Sequence, residues 1–339
     1  MAVEGRFTLA AIQARQILFD RDAATEKACR LIAEAAVAGA TIAAFGEAWL
    51  HGYPFFADAE FRPLSWQAMA EYQANAVEIP GPATDRLCAA AREGGIDVVI
   101  GVVERDTATL GTVYCTLLFI GREGRILGRH RKLKGTHVER AVWGDGDAEG
   151  LRVHQRSYGR ISGLNCWEHN LFLPGQVLAA QGTQIHVAAW PGREPADAPR
   201  YPDIIWPRQH LLSRAFASKA ACYVICAAGI RTTEDVPERY RELATYEHTG
   251  QSCIIDPRGE IIAGPAEGET ILLAEGSMEA VLAAKSAVDA GGHYSRPDLL
   301  SLVISRGSLE GSAQDRGQPD SALCSPSGKD GCDALGIRP

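Results

Sequence analysis

The sequence predicts an α/β fold. Short apolar runs that read as buried strands alternate with stretches of helical period, and no break in composition interrupts that alternation between the first residues and about residue 300. Residues 7–14, Phe-Thr-Leu-Ala-Ala-Ile-Gln-Ala, form the first such strand. A helix over 22–38 follows. Its apolar positions Ala28, Leu31, Ile32 and Ala35 recur at helical spacing, and Gly39 is placed to end it. Residues 41–46 form a second apolar strand that delivers Glu47 at its C-terminal end. Residues 82–92 read as a helix and 96–104 as another buried strand. Strands 112–120 and 125–129 make a hairpin around Gly121–Gly124.

Residues 130–150 are rich in charge and glycine, show no period, and read as a loop. A strand at 160–165 then ends at Asn165-Cys166. Helix 174–181, strand 184–189, helix 205–220 and strand 222–228 come next. Strands near 250–256, 260–263 and 270–274 and a helix at 277–289 complete the body. Residues 1–306 are expected to form one domain. From Gly307 onward Gly, Ser, Pro, Asp and Gln dominate without an amphipathic period, so 307–339 reads as a flexible tail.

The 339 residues are 46% hydrophobic and 22% charged, which suits a large folded core. The net charge of −8 argues against binding a phosphate backbone or an anionic membrane surface. No basic start, apolar run and small-residue cleavage site occur together early in the chain, and no apolar run nears the ~20 residues of a spanning helix. Nine cysteines are scattered irregularly, at 29, 88, 115, 166, 222, 226, 253, 324 and 332. The odd number and the spacing point away from a disulfide framework and toward a reducing, cytoplasmic setting.

The strongest local signal is Gly163-Leu164-Asn165-Cys166-Trp167-Glu168. A cysteine where a buried strand meets a loop sits at the rim of the sheet, where open α/β folds place their sites. Cys29 and Cys88 fall within helices, and Cys115, Cys222, Cys226 and Cys253 within apolar strands, where a thiol reads as a small buried hydrophobe. A thiol is mostly protonated at neutral pH and needs a base or a cation beside it. Glu47, at the end of an apolar strand, could supply the base, unless it is a solvated loop carboxylate. Lys132, in His130-Arg131-Lys132-Leu133-Lys134, could supply the cation, unless it is one exposed lysine of a basic run.

Other constellations carry less. Cys222 and Cys226 lack a second pair of ligands for zinc. Gly144-Asp145-Gly146-Asp147 carries two acids and precedes no helix, so it would repel phosphate. Ser162 lacks the glycine of a nucleophile elbow. No peptidase signature surrounds Cys166, and His169 is not made its partner by lying three residues along.

Taken together, the Glu47 block (Phe45 to Pro54), the Lys132 block HRKLKGTHVERAVWGDGD and the Cys166 block GLNCWEHN resemble the nitrilase branch of the carbon–nitrogen hydrolase superfamily in order and spacing. The resemblance spans about residues 7–303. A fourth block, Gly292-His293-Tyr294-Ser295-Arg296-Pro297-Asp298, looks like a segment of nitrilases proper rather than of the amidase branches. The resemblance implies a four-layer α-β-β-α sandwich and a catalytic set in which Glu47 is the general base, Lys132 the catalytic lysine, Cys166 the nucleophile and Glu139 a second, supporting glutamate. It implies a small-molecule nitrile as substrate, hydrolysed through a thioimidate and a thioester, with Lys132 and the Trp167 backbone N–H stabilising the developing anion. It implies no metal or organic cofactor, and homo-oligomers, often spiral filaments. Tyr53, Trp167 and Trp190 are candidate walls of an apolar substrate pocket, Tyr53 and Trp190 reading equally as core or interface aromatics. An amide or carbamoyl hydrolase, a cyanide-hydrolysing enzyme and a catalytically silent assembly protein are the alternatives. Gly46 and Gly135 stand where the family often has proline, which would loosen the loops that hold Glu47 and Glu139.

Overall fold

The computed structural model describes residues 5–58, 62–192 and 208–305. The expected tail at 307–339 and the first residues of the helix expected at 205–220 lie outside these.

The described residues form fourteen strands: β1 (Arg6–Gln13), β2 (Ile42–Ala44), β3 (Asp97–Arg105), β4 (Val113–Gly121), β5 (Arg125–Arg131), β6 (His154–Arg156), β7 (Gly159–Asn165), β8 (Ile185–Trp190), β9 (Tyr223–Ala228), β10 (Ile230–Arg231), β11 (His248–Thr249), β12 (Cys253–Ile255), β13 (Ile261–Ala263) and β14 (Thr270–Ser277). The helices are α1 (Arg21–Val37), α2 (Pro63–Asn75), α3 (Pro82–Gly94), α4 (Phe172–Ala180), α5 (Arg208–Ala220) and α6 (Met278–Ala287). Local chemistry sets several ends. The Asp20 carboxylate accepts from the Ala23 N–H and starts α1. Pro82 occupies the first turn of α3, and Gly95, with φ of 62°, ends it.

Two six-stranded mixed sheets carry the molecule, in the orders β14-β1-β2-β3-β4-β5 and β13-β12-β9-β8-β7-β6. In each sheet the three central strands run parallel (β1, β2 and β3 in one, β7, β8 and β9 in the other) and the outer pairings are antiparallel. The sheets face one another across Leu9, Ala11, Ile42, Val99, Leu117 and Phe119 on one side and Ile161, Ile185, Val187 and Ile225 on the other. Alternate residues of the first sheet, such as Ile12, Ala43, Val98 and Ile100, pack under α1 and α3. Alternate residues of the second, such as Ala188, Val224 and Cys226, pack under α5. The result is an α-β-β-α sandwich. Both faces of each sheet are covered, which is why the strands read as continuous apolar runs.

Besides the short strands β6, β10 and β11, which the sequence expectation lacks, three features differ from it. Helix α2 was not anticipated. It buries only Ser65, Ala68 and Tyr72 while Trp66 stays exposed, so its apolar stripe is faint. The stretch 130–150 is not all loop: β5 continues to Arg131, and two short 3-10 turns, His137–Ala141 and Ala148–Gly150, lie within it. Cys222 precedes β9 rather than lying inside it, though it is fully buried.

Candidate active site

The C-terminal ends of β2 and β7 lie in facing sheets, and each hands its chain to a turn that carries one reactive group. Glu47 follows β2. Its backbone N–H donates to the Trp190 carbonyl of the other sheet at 2.9 Å, and Leu50 N–H donates to Gly101 O at 3.0 Å, so the Glu47 turn is tied to both sheets. Glycine at two positions permits this approach. A Cβ on Gly101 would lie 2.2 Å from Gly46 O, and one on Gly46 would lie 2.5 Å from Trp190 O. Gly46 therefore does not loosen the loop as expected; it lets the loop sit directly on neighbouring backbone. Gly135 is likewise buried, where an added Cβ would lie 3.1 Å from Arg140 N, and its carbonyl accepts from Arg140 Nε.

Lys132 is the first residue past β5. Its N–H donates to Cys115 O at 2.7 Å and its carbonyl accepts from Gly146 N–H at 2.8 Å. The side chain is not on the surface of a basic run: it is buried, with Nζ donating to Glu47 Oε1 at 2.7 Å and Glu139 Oε2 at 2.6 Å. Glu139 sits in the His137–Ala141 turn, where its Oε2 also accepts from Thr136 N–H at 2.7 Å and its Oε1 from the Tyr53 hydroxyl at 2.8 Å. Cys166 opens a 3-10 turn after β7 with a left-handed φ of 48°. It is buried within range of the charges of Glu47, Lys132 and Glu139.

The electrostatics follow from this packing. Burial raises the Glu47 carboxyl to about 8, Lys132 pulling it down and the Glu139 charge pushing it up. Burial alone would lower Lys132, but Glu139 and Glu47 outweigh it and hold the ammonium well above its ordinary value. Burial pushes the Cys166 thiol well up, Glu47 adding to the rise and Lys132 opposing it. A raised carboxylate beside a fixed ammonium and a thiol is the arrangement a proton-relaying nucleophile requires.

The three candidate aromatics fall in different places. Tyr53 reaches the site through Glu139, its ring edge-on to Trp143. Trp167 is half-buried beside the nucleophile, with the Arg208 guanidinium 5.1 Å from its ring centroid. Trp190 shares an apolar cluster with Cys166, but its indole lies on the α5 side, where Nε1–H donates to Ser213 Oγ at 3.1 Å.

Two groups at the site were not anticipated. The Cys115 thiol, expected only as core, donates to Glu47 Oε1 at 3.7 Å. The buried Glu168 carboxylate accepts from Leu133 N–H and Asn165 N–H, each at 2.7 Å, and from His130 Nε2 at 3.0 Å. It thereby fastens the residue after Lys132 to the residue before Cys166. Burial works to raise Glu168, but His130 and the two backbone donors hold it below the ordinary carboxylate value. Among the described residues no group of three or more His, Cys, Asp or Glu is placed to hold a metal, and no helix is long and apolar enough to cross a membrane.

A family model described as carbon-nitrogen hydrolase matches residues 8–285. The chain belongs to the carbon–nitrogen hydrolase family. Its relatives place this hydrolase in the nitrilase branch. It is 50% identical to "Nitrilase 2" of an unknown prokaryotic organism over 92% of this chain and 99% of the relative. It is 36% identical to an "Aliphatic nitrilase" of Rhodococcus rhodochrous, over 87% and 82% of the two chains. Among solved structures, Saccharomyces cerevisiae Nit3, a member of the nitrilase superfamily, superposes with a TM-score of 0.68 at 20% identity, covering 85% of this chain and 96% of Nit3. This hydrolase, acting on carbon–nitrogen bonds, has the α/β sandwich of that superfamily.

Proposed function

We propose that the protein is a nitrilase, converting an organic nitrile to its carboxylic acid and ammonia with Cys166 as the nucleophile. The observation that carries the reading is one buried ammonium held at 2.7 and 2.6 Å by two carboxylates beside a buried thiol. The relatives named nitrilases support the choice of substrate.

A nitrile carbon is a weak electrophile without a leaving group, and covalent attack divides its hydrolysis into smaller steps. Glu47 takes the Cys166 proton and the sulfur bonds to the nitrile carbon. The negative charge that forms on nitrogen is met by the Lys132 ammonium and the Trp167 N–H, and a proton then gives the thioimidate. Water adds with Glu47 as base, ammonia departs, and a thioester remains. A second water, again deprotonated by Glu47, releases the acid and restores the thiol. The sum is RCN + 2 H₂O → RCOOH + NH₃. Glu139 keeps Lys132 charged and pointed at the reacting nitrogen.

The test is ammonia release from a panel of aliphatic, aromatic and arylacetic nitriles, dinitriles and cyanide, set against the matching amides. The expected result is acid and ammonia from nitriles, abolished by Cys166→Ala. Turnover of amides alone would sink the nitrile reading, and undiminished activity in C166A would remove Cys166 from the chemistry.

A further inference from the structure

The peptide between Cys166 and Trp167 has two ends with separate partners. Its N–H faces the Cys166 side chain, beside which the anion forms on the substrate nitrogen. A trans peptide points its carbonyl the opposite way, and there Cys166 O meets His169 Nδ1 at 2.7 Å. A carbonyl only accepts, so Nδ1 carries the proton. Behind it lies a continuous chain of contacts, half-buried at His169 and buried beyond it. His169 Nε2 meets His186 Nε2 at 3.1 Å, His186 Nδ1 meets Ser162 Oγ at 2.8 Å, and Ser162 Oγ meets Thr183 Oγ1 at 2.6 Å.

The chain has one consistent direction. Burial holds His169 near 4 and His186 well below its ordinary value, so both rings are neutral at pH 7. A neutral His169 protonated at Nδ1 must accept at Nε2, which obliges His186 to donate from Nε2. His186 Nδ1 must then accept the Ser162 hydroxyl proton, and Ser162 Oγ is free to accept from Thr183. The ring planes are fixed by stacking: His169 on Trp190 at 5.6 Å, and His186 on Phe216 at 3.8 Å. Ser162 and His186 are direct register partners on β7 and β8, so the sheet itself sets their spacing.

We propose that His169 is a positioning residue whose Nδ1–H grips the Cys166 carbonyl and so orients the Trp167 N–H toward the developing anion, with His186 fixing the tautomer that allows it. His169 touches neither the substrate nor the sulfur. Its effect passes through one peptide plane, in a residue whose left-handed φ of 48° needs its surroundings to hold it.

The inference rests on Cys166 being the nucleophile but not on the substrate being a nitrile. It is therefore tested on whichever carbon–nitrogen substrate the wild-type enzyme hydrolyses fastest. His169→Phe keeps the stacked ring and removes the donor. It is expected to lower kcat on the order of 10- to 100-fold, the range set by loss or misdirection of one anion-stabilising donor, with KM changed less than about threefold. His169→Asn, whose amide N–H can reach the same carbonyl, is expected to recover most of that loss. His186→Phe acts at a distance: it removes the donor to His169 Nε2, frees the wrong tautomer, and is expected to lower kcat about tenfold. Alkylation of Cys166 by iodoacetamide, followed by mass spectrometry of its peptide, draws on the thiolate beside the Trp167 N–H but develops no anion on the substrate, and is expected to slow less than about threefold in the folded variants, well short of the loss in kcat. The proposal is overturned if H169F and H186F both keep wild-type kcat, if H169N is no faster than H169F, or if alkylation falls in step with turnover. Should H169F not fold, H186F and H169N decide the question between them.

Discussion

Replacing Glu139 by Gln tests how the two carboxylates share one ammonium. The amide keeps the volume and its oxygen can still accept from the Tyr53 hydroxyl, while its NH₂ stands where Oε2 accepted from Lys132 Nζ and Thr136 N–H, so the variant loses one charge and those two acceptor contacts. Each carboxylate holds Lys132 Nζ, at 2.7 and 2.6 Å. Two negative charges so placed lie about 5 Å apart, and at an effective dielectric constant of about 20 they repel by about 3 kcal/mol, or roughly two pKa units. Glu47 works as a base when ionised, so kcat/KM of the wild-type enzyme should rise as pH climbs through about 8. Removing a neighbouring negative charge makes ionisation easier. The acid limb of the profile should therefore move down by roughly one to two pH units in E139Q. The plateau should fall roughly 10- to 100-fold, because Lys132 loses an anchor. The assay is initial ammonia release at low substrate from pH 5 to 10 for both proteins. A limb that stays in place, or moves upward, would refute the shared-charge account even if overall activity fell.

Two further predictions address the frame around the site. Gly101→Ala would place a methyl 2.2 Å from Gly46 O, so the Glu47 turn must shift. The variant should be less stable by about 1–3 kcal/mol in urea unfolding and nearly inactive in the ammonia assay; wild-type values for both would show that the turn accommodates a side chain. Asp97→Asn removes a buried carboxylate that accepts from Arg156 Nε and Nη2 at 2.9 Å and from the Arg122 N–H at 2.7 Å. It should cost about 3 kcal/mol in the same unfolding measurement while leaving the pH profile of activity unmoved, since Asp97 lies at the start of β3, away from the end that meets the Glu47 turn.

What the sequence makes legible here depends on how far each residue's partners lie along the chain. Strand β8 is buried at every position and apolar at all but His186 because the sandwich covers both its faces, and α1 announces itself through Ala28, Leu31, Ile32 and Ala35. Glu47 and Cys166 stand out because each follows such a strand directly. Helix α2 does not, since the face it buries is made of Ser65, Ala68 and Tyr72. The supporting shell is less visible still, because it is written in register rather than in motifs. Cys115 meets Glu47 from 68 residues away, and Glu168 meets His130 from 38. His186 lies in a run that reads as core, and its polar partners come from its pairing opposite Ser162 and from His169 in the turn after β7. The same alternation puts Trp190 on the α5 face with His186 and Ala188, while Val187 and Ala189 face the other sheet. A side chain's direction on these strands is thus set by which pleat it occupies, and the pleat becomes fixed only once both neighbouring strands are in place. Reactive groups at strand ends escape that dependence, because the strand that delivers them is itself the signal. The residues that hold them do not: His186 lies on the neighbouring strand, beside the turn that carries Cys166, and nothing along the chain alone connects the two.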